Sequence, residues 1–243
     1  MADAGIFPGF DFSVITANLP YLLWGRAADG EIGGLLLTLV MAVSAAALSV
    51  VLGVAGAVLA WLFPGPVRSV LFLWADFIRG IPLIFVIFWL YFLLPALLGV
   101  NLPDTVTVVV ALAWFTSAAV LYTTFAGLSA LPAGQSEAGI AAGFSPFRVL
   151  VLILLPQALP NLVPSFVGVF VSLIKDTSLA FIVNVPELTT VSNQVNNRTQ
   201  IYPAEIFLFT GAVYFVLCTA FAVLADFFGR SASRTPLRRS GGA

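Results

Sequence analysis

Residues 32–67 read IGGLLLTLVMAVSAAALSVVLGVAGAVLAWLFPGPV, and no Asp, Glu, Lys or Arg interrupts the chain between Glu31 and Arg68. A helix crossing the hydrocarbon core of a bilayer needs about 20 such residues. Working outward, charges are also missing between Arg79 and Asp104, between Asp104 and Glu137, between Arg148 and Lys175, and between Glu205 and Asp226. Each ionised group at the bilayer centre costs several kcal/mol, so gaps of this length in series mark spans. The runs lack the polar–apolar alternation of barrel strands, which leaves helix as the spanning structure. The expected fold is an all-α, polytopic membrane bundle of about five transmembrane helices.

Composition agrees. The chain is 60 % apolar and 9 % charged, with a mean hydropathy of +1.08, whereas soluble domains carry about a quarter charged residues. There is no histidine, which removes most zinc sites and every Ser–His or Cys–His dyad. Cys218 is the only cysteine and lies in the last apolar run, so no disulfide forms within the chain and no catalytic set is visible. Lys175, the only lysine, follows no phosphate-binding glycine loop. Any chemical energy must come from elsewhere. The N-terminus lacks a basic region before its first apolar residues, so a cleaved signal peptide is not expected.

Residues 1–32, with Phe7, Phe10, Phe12, Tyr21 and Trp24, are expected at the headgroup level, where aromatic rings accumulate. Residues 33–228 hold the spans, expected at 33–62, 82–99, 105–130, 157–175 and 204–227, and residues 229–243 form a basic tail. In the first span Ala45, Ser49, Gly53 and Ala57 recur every four residues, a small-residue face for close helix packing. Residues 67–81 are expected as an interfacial lead-in, with Asp76 and Arg79 spaced to pair on one face. The third span carries Thr116, Ser117, Tyr122, Thr123 and Thr124, whose hydroxyls bond their own helix or face protein. Residues 135–156 are too interrupted to span. Gly143 ends one short helix there and Ser145-Pro146 starts another, which makes a protruding elbow. In the fourth span Pro156, Pro160 and Pro164 remove hydrogen bonds along one side. Asn161, Ser165, Gly168, Ser172 and Asp176 share a stripe there that suits either a pathway lining or interhelical bonding. Parts of the polar stretch 177–203 are expected to dip back into the bundle.

Five spans put the termini on opposite sides. A cytoplasmic tail places Arg230, Arg234, Arg238, Arg239, Arg68, Arg79 and Arg148 inside and only Arg26, Lys175 and Arg198 outside, so the positive-inside rule selects N-terminus out, C-terminus in. The elbow is then cytoplasmic. Anionic lipid suffices as partner for the tail, and nucleic acid is not called for.

The elbow run SEAGIAAGFSPFRVLVLILLPQALP, residues 136–160, resembles the EAA loop of permease subunits of ATP-binding-cassette importers. Glu137, Ala138 and Gly139 stand at the EAA triplet, Gly143 at its following glycine, and Leu155-Pro156 at its closing Leu-Pro. Gly139 replaces an alanine, a change that loosens a helix by under about 1 kcal/mol. Phe77-Ile78-Arg79-Gly80-Ile81-Pro82-Leu83 is similar to the FRGTPL stretch of the polar-amino-acid branch, with Ile81 for threonine. Lys175 to Ala180 and Val185-Pro186-Glu187-Leu188 are similar to its KDTSLA and VPEL stretches. The run Asp11-Phe12-Ser13 with Leu19-Pro20-Tyr21-Leu22-Leu23 looks like glutamate/aspartate permeases.

The resemblance implies a transport subunit of an amino-acid importer in a bacterial inner membrane, without an ATPase site or bound cofactor of its own. It implies as partners a pair of ATPase subunits that use ATP, a second permease, a periplasmic solute-binding protein and an amino-acid substrate. Glu137, Ala138, Gly139, Gly143 and Phe144 would couple to the ATPase. Asn161, Ser165, Ser172, Lys175, Asp176 and Thr177, with Thr116 and Tyr122 from the third span, would line the pathway. The branch usually carries Glu and Arg where this chain has Tyr122 and Phe125, which points to a heterodimer whose other permease keeps those charges. The competing reading is an ion-coupled secondary transporter, which wants midplane carboxylates that the spans lack.

Overall fold

Prolines set most of the helix boundaries in the computed structural model, which describes residues 11–27, 30–99 and 101–232. The elements run α1 (Ser13–Trp24), β1 (Gly25–Arg26), β2 (Glu31–Ile32), α2 (Gly34–Leu62), α3 (Pro66–Gly80), α4 (Leu83–Phe88), α5 (Leu94–Leu98), α6 (Asp104–Ser129), α7 (Ala133–Ala141), α8 (Pro146–Val149), α9 (Leu155–Asp176), α10 (Leu188–Thr199) and α11 (Pro203–Ala232). Pro66, Pro146 and Pro203 each occupy a first helical position, where the missing N–H costs nothing. The first ten residues of the aromatic N-terminal segment and residues 233–243 of the basic tail lie outside the described residues.

Four helical stretches are long and apolar enough to cross a bilayer: Gly34–Leu62, Asp104–Ser129, Pro146–Val183 and Pro203–Ala225. The pair Pro66–Gly80 and Leu83–Leu98, bent by 102°, passes the same test only when taken together, as one broken span or a re-entrant loop. The sequence suggests an interfacial lead-in at 67–81 and a span at 82–99; the structure has a separate helix, α3, set at 102° to a helical stretch Leu83–Leu98. Pro82 cannot donate into α3 and pushes Ile81 into extended backbone, at φ −106° and ψ 138°.

Two π turns, Trp89–Leu93 and Leu150–Leu154, each end two residues before a proline, Pro95 and Pro156. A proline ring clashes with the carbonyl four residues back, and one extra residue in the turn relieves that clash. The second π turn joins α8 to α9. The elbow therefore has one short helix, α7, rather than the expected two, because α8 continues directly into the fourth span.

The core lies where α2 runs along α6. Ala45, Ser49, Gly53 and Ala57 are all buried on that face. A Cβ at Gly53 would come 2.5 Å from Val120 Cβ. Leu37 and Met41 of α2, Val86 and Ile87 of α4, Val108 and Leu112 of α6 and Leu173 of α9 fill the centre. At the elbow end Leu128, Val149, Leu150, Leu154 and Ala158 form a second cluster that also holds Trp61 and Leu62 of α2.

At the other end, α1 packs Val14, Ile15 and Leu22 against Val191, Val195 and Ile206. The two-residue ladder pairs Gly25 with Ile32 and Arg26 with Glu31. Gly34 turns the chain into α2 at φ 58°, and a Cβ there would stand 2.2 Å from the Leu22 carbonyl oxygen. The stretch 177–203 is not a loose loop. A 3₁₀ turn, Thr177–Val183, leads to Glu187, which is fully buried as the N-cap of α10. One carboxyl oxygen of Glu187 accepts from the Thr190 N–H at 2.8 Å and the Thr190 hydroxyl at 3.2 Å. The other accepts from the Thr189 N–H at 2.8 Å and the Tyr214 hydroxyl at 2.9 Å. The Gly34 N–H donates to the Pro186 carbonyl at 2.8 Å, and the Leu188 N–H to Thr38 Oγ1 at 3.1 Å, so this knot is stitched to the start of α2.

Candidate coupling elbow and translocation face

The elbow is a helix end closed by a defined turn. The Phe144 N–H donates to the Gly139 carbonyl at 3.1 Å and the Gly143 N–H to that of Ile140 at 2.9 Å. This is the paired pattern that ends a helix on a left-handed residue, and Gly143 sits there at φ 84°. Ser145 then caps the next helix, its hydroxyl accepting from the Arg148 N–H at 3.4 Å.

Of the five residues expected to couple, Glu137, Ala138, Gly143 and Phe144 are exposed. Gly139 is buried. A Cβ on it would meet Val149 Cγ2 at 2.8 Å and Ile153 Cδ1 at 3.0 Å, so α7 lies against the α8–π turn at this glycine. Its sequence reading as a mild loosening of the helix misses that contact, which only the folded elbow creates.

Ile140 and Phe147, which the sequence reading passed over, are 54 % and 56 % exposed and join Phe144 in an apolar tip. Their signal was present: apolar side chains in an elbow too interrupted to enter the membrane. The base of the elbow is rigid, since Val149, Leu150 and Leu154 are buried against Leu128 of α6 and Trp61 of α2. Gln157 of α9 also donates to Gln135 of α7, at 3.4 Å. Packed side chains thus connect the elbow to the start of α9.

On α9, Asn161, Ser165, Gly168, Ser172 and Lys175 are all exposed, and Asp176 is half-buried. Pro156, Pro160 and Pro164 are exposed beside them. The carbonyls of Pro156 and Pro160 have no N–H four residues on, because proline stands there in both cases. Lipid cannot satisfy such carbonyls, so this face belongs against water or protein. Gln157 and Asn161 turn their amides back on the helix, donating to the Ile153 and Gln157 carbonyls at 2.7 and 3.0 Å.

Two residues expected with this stripe are elsewhere. Thr177 is fully buried and donates to the Ile174 carbonyl at 2.7 Å. Thr116 is buried in α6. Both fall on the inner side of their turns, which hydroxyl content alone does not disclose.

Tyr122 stands apart as well, in a cluster with α3. Its hydroxyl donates to Asp76 at 2.5 Å, and its ring lies 4.8 Å from the Arg79 guanidinium carbon. The expected Asp76–Arg79 pair does not form among the described residues; each residue contacts Tyr122 instead. Phe125 takes Arg68 over its ring at 5.1 Å, and Phe72 packs edge-on against both aromatic rings. The spacing of Asp76 and Arg79 is legible in the sequence. Their partner, 46 residues from Asp76, is not.

Residues 49–234 match the family model described as a binding-protein-dependent transport system inner membrane component. The chain is 29 % identical over 230 residues to the glutamate/aspartate import permease protein GltK of Escherichia coli, covering 91 % of this chain and 97 % of that protein. It is 33 % identical over 186 residues to the probable glutamine ABC transporter permease protein GlnP of Bacillus subtilis, covering 76 % and 85 %. A solved structure titled as an amino acid ABC transporter with histidines superposes with a TM-score of 0.78 at 26 % identity, over 91 % of this chain and 98 % of that one. The exposed elbow, the bent pair of α3 with Leu83–Leu98 and the proline-lined α9 are therefore those of a multi-pass protein that belongs to the family of binding-protein-dependent transport system inner membrane components.

Proposed function

We propose that this chain is the permease subunit of an ATP-driven amino-acid importer, forming part of the translocation pathway and taking its motion from a separate ATPase. The observation that carries the reading is the elbow: an exposed apolar tip, Ile140, Phe144 and Phe147, on a base packed into α2, α6 and the start of α9. A short helix seated in a groove of another protein transmits a rigid-body displacement. Here the displacement reaches the polar stripe of α9 without a flexible link.

In this reading Glu137, Ala138, Gly143 and Phe144 meet the ATPase, and Gly139 sets the angle of α7. Asn161, Ser165, Ser172 and Lys175 face the pathway, with Asp176 at its edge. ATP is bound and hydrolysed by a pair of partner subunits, and this chain binds no cofactor. The tail and elbow lie in the cytoplasm and the knot around Glu187 outside, following the distribution of arginines. A soluble binding protein delivers the amino acid to that outer face. A second, non-identical permease completes the pathway, since this chain carries Tyr122 and Phe125 where the branch it resembles usually carries Glu and Arg.

The test is an Ala141→Cys cross-link in membranes containing the neighbouring subunits. The expected product joins this chain to an ATPase, and uptake of glutamate or glutamine stops when hydrolysis is blocked. A cross-link that reaches only lipid or this same chain refutes the coupling role.

A further inference from the structure

Helices α2 and α11 both pack on α9 and leave a furrow between them, with α9 as its floor. At its deepest the furrow is a cavity of about 670 Å³, and every described residue lining it is apolar. Toward the start of both helices it continues into a shallower groove between Leu35 and Phe209, the two parts sharing Leu217. From Leu35 to Val50 of α2 it is about 22 Å long at 1.5 Å per residue. All three walls belong to stretches long and apolar enough to cross a bilayer, so the furrow lies in the hydrocarbon layer.

The walls select the chemistry of what they take. Water finds no hydrogen-bonding partner along them. A hydrocarbon chain gains dispersion contacts on both sides and at the floor, where Phe170 is held edge-on to Phe221 at 6.4 Å. The volume falls in the range of small-molecule sites, about 300–1,000 Å³. Helices in a membrane approach closely where small residues stand at the contact surface. Here the small side chains Ala42 and Ala46 are recessed, while Val43 and Leu224 protrude at 68 % and 56 % exposure. That shape suits a chain thinner than a helix.

The side of α9 that forms the floor matters as well. At about 3.6 residues per turn, Phe170, Leu173 and Ile174 fall on the side opposite Asn161, Ser165 and Ser172. The furrow is therefore turned away from the pathway stripe and from a permease that completes it.

We infer that this furrow seats one acyl chain of a membrane phospholipid, held as part of the folded subunit. The inference rests on the pathway reading for the side of α9 that it assigns to lipid. The acyl chain bridges α2 and α11, which are otherwise joined through α9.

The test reconstitutes the intact transporter complex in nanodiscs of phosphatidylethanolamine with a diazirine midway along one acyl chain, and maps the photolabel by mass spectrometry. In the wild type the label is expected at Phe170 on the floor, and at Val51, which is 65 % exposed on α2 outside the furrow. Ala46→Phe and Ala220→Phe fill the furrow from either wall. Each is expected to lower labelling of Phe170 by about tenfold or more and to leave Val51 unchanged. Ala46→Leu, a smaller filling, is expected to lower it part of the way. Basal ATP hydrolysis by the complex reports that the variants assemble.

A wild type without label at Phe170 overturns the inference. So does equal labelling of Phe170 in wild type and filled variants, or a Val43→Cys cross-link to the second permease. In each of those cases amino-acid uptake by the wild-type complex leaves the proposed function standing. Label at Phe170 that the filled variants lose, in a complex that takes up no amino acid, keeps the lipid seat and refutes the importer reading.

Discussion

Replacing a helical glycine by alanine should change the stability of this protein in opposite directions at two positions. At Gly53 the new Cβ would lie 2.5 Å from Val120 Cβ and 2.7 Å from the Ser117 carbonyl oxygen. Carbon atoms pack at about 3.5–4.0 Å, so α2 and α6 must part by about 1 Å along the largest contact in the bundle. Overpacking of this kind costs about 1–3 kcal/mol, and a backbone carbonyl on the far side, unable to rotate away, favours the upper half. Helix propensity returns about 1 kcal/mol, which leaves Gly53→Ala less stable by about 1–2 kcal/mol. At Gly168, exposed on α9, nothing stands within 4 Å of the added methyl. Only the propensity gain of about 1 kcal/mol applies there. Thermal unfolding of the purified protein in detergent reads both, at about 2–4 °C per kcal/mol for a chain of this size. A Gly53→Ala protein melting at or above the wild type would refute the close approach of α2 and α6.

Further outcomes bear on the elbow, the pathway and the outer knot. Gly143→Val places a branched residue at φ 84°, a strain of about 1–2 kcal/mol, and should abolish ATP-driven uptake while membrane insertion, checked by fractionation, is unchanged. Ser165→Phe fills the exposed stripe of α9 and should block uptake with normal ATPase binding; unimpeded uptake would mean that the stripe only packs against a partner. Burial raises the Glu187 carboxyl above its ordinary value against the pull of four donors. A carboxyl raised in the folded state contributes stability that is complete below its unfolded value and is lost as pH climbs through the folded value. The melting temperature should therefore decline as pH rises above the ordinary carboxylate range, and Glu187→Gln should flatten that slope. Glu187→Gln should also lower stability by about 1–3 kcal/mol, since its amide donors meet N–H and hydroxyl donors.

Membrane class, the helical fold, the elbow and its Gly143 turn follow from the sequence alone. Each is a local consequence of charge spacing or of proline and glycine chemistry, which acts within a few residues of its cause. Ala45, Ser49, Gly53 and Ala57 could be read as a packing face for the same reason, since helical periodicity aligns them whatever lies opposite. What lies opposite is decided only by tertiary structure. Gly139 reads as a weakened alanine until Val149 is folded over it. Thr116 and Thr177 read as pathway residues until the packing of α6 and the 3₁₀ turn buries them. Asp76 and Arg79 read as an ion pair until Tyr122 of α6, far along the chain, contacts both. Contacts across such separations depend on where whole helices pack, and local spacing carries no record of that.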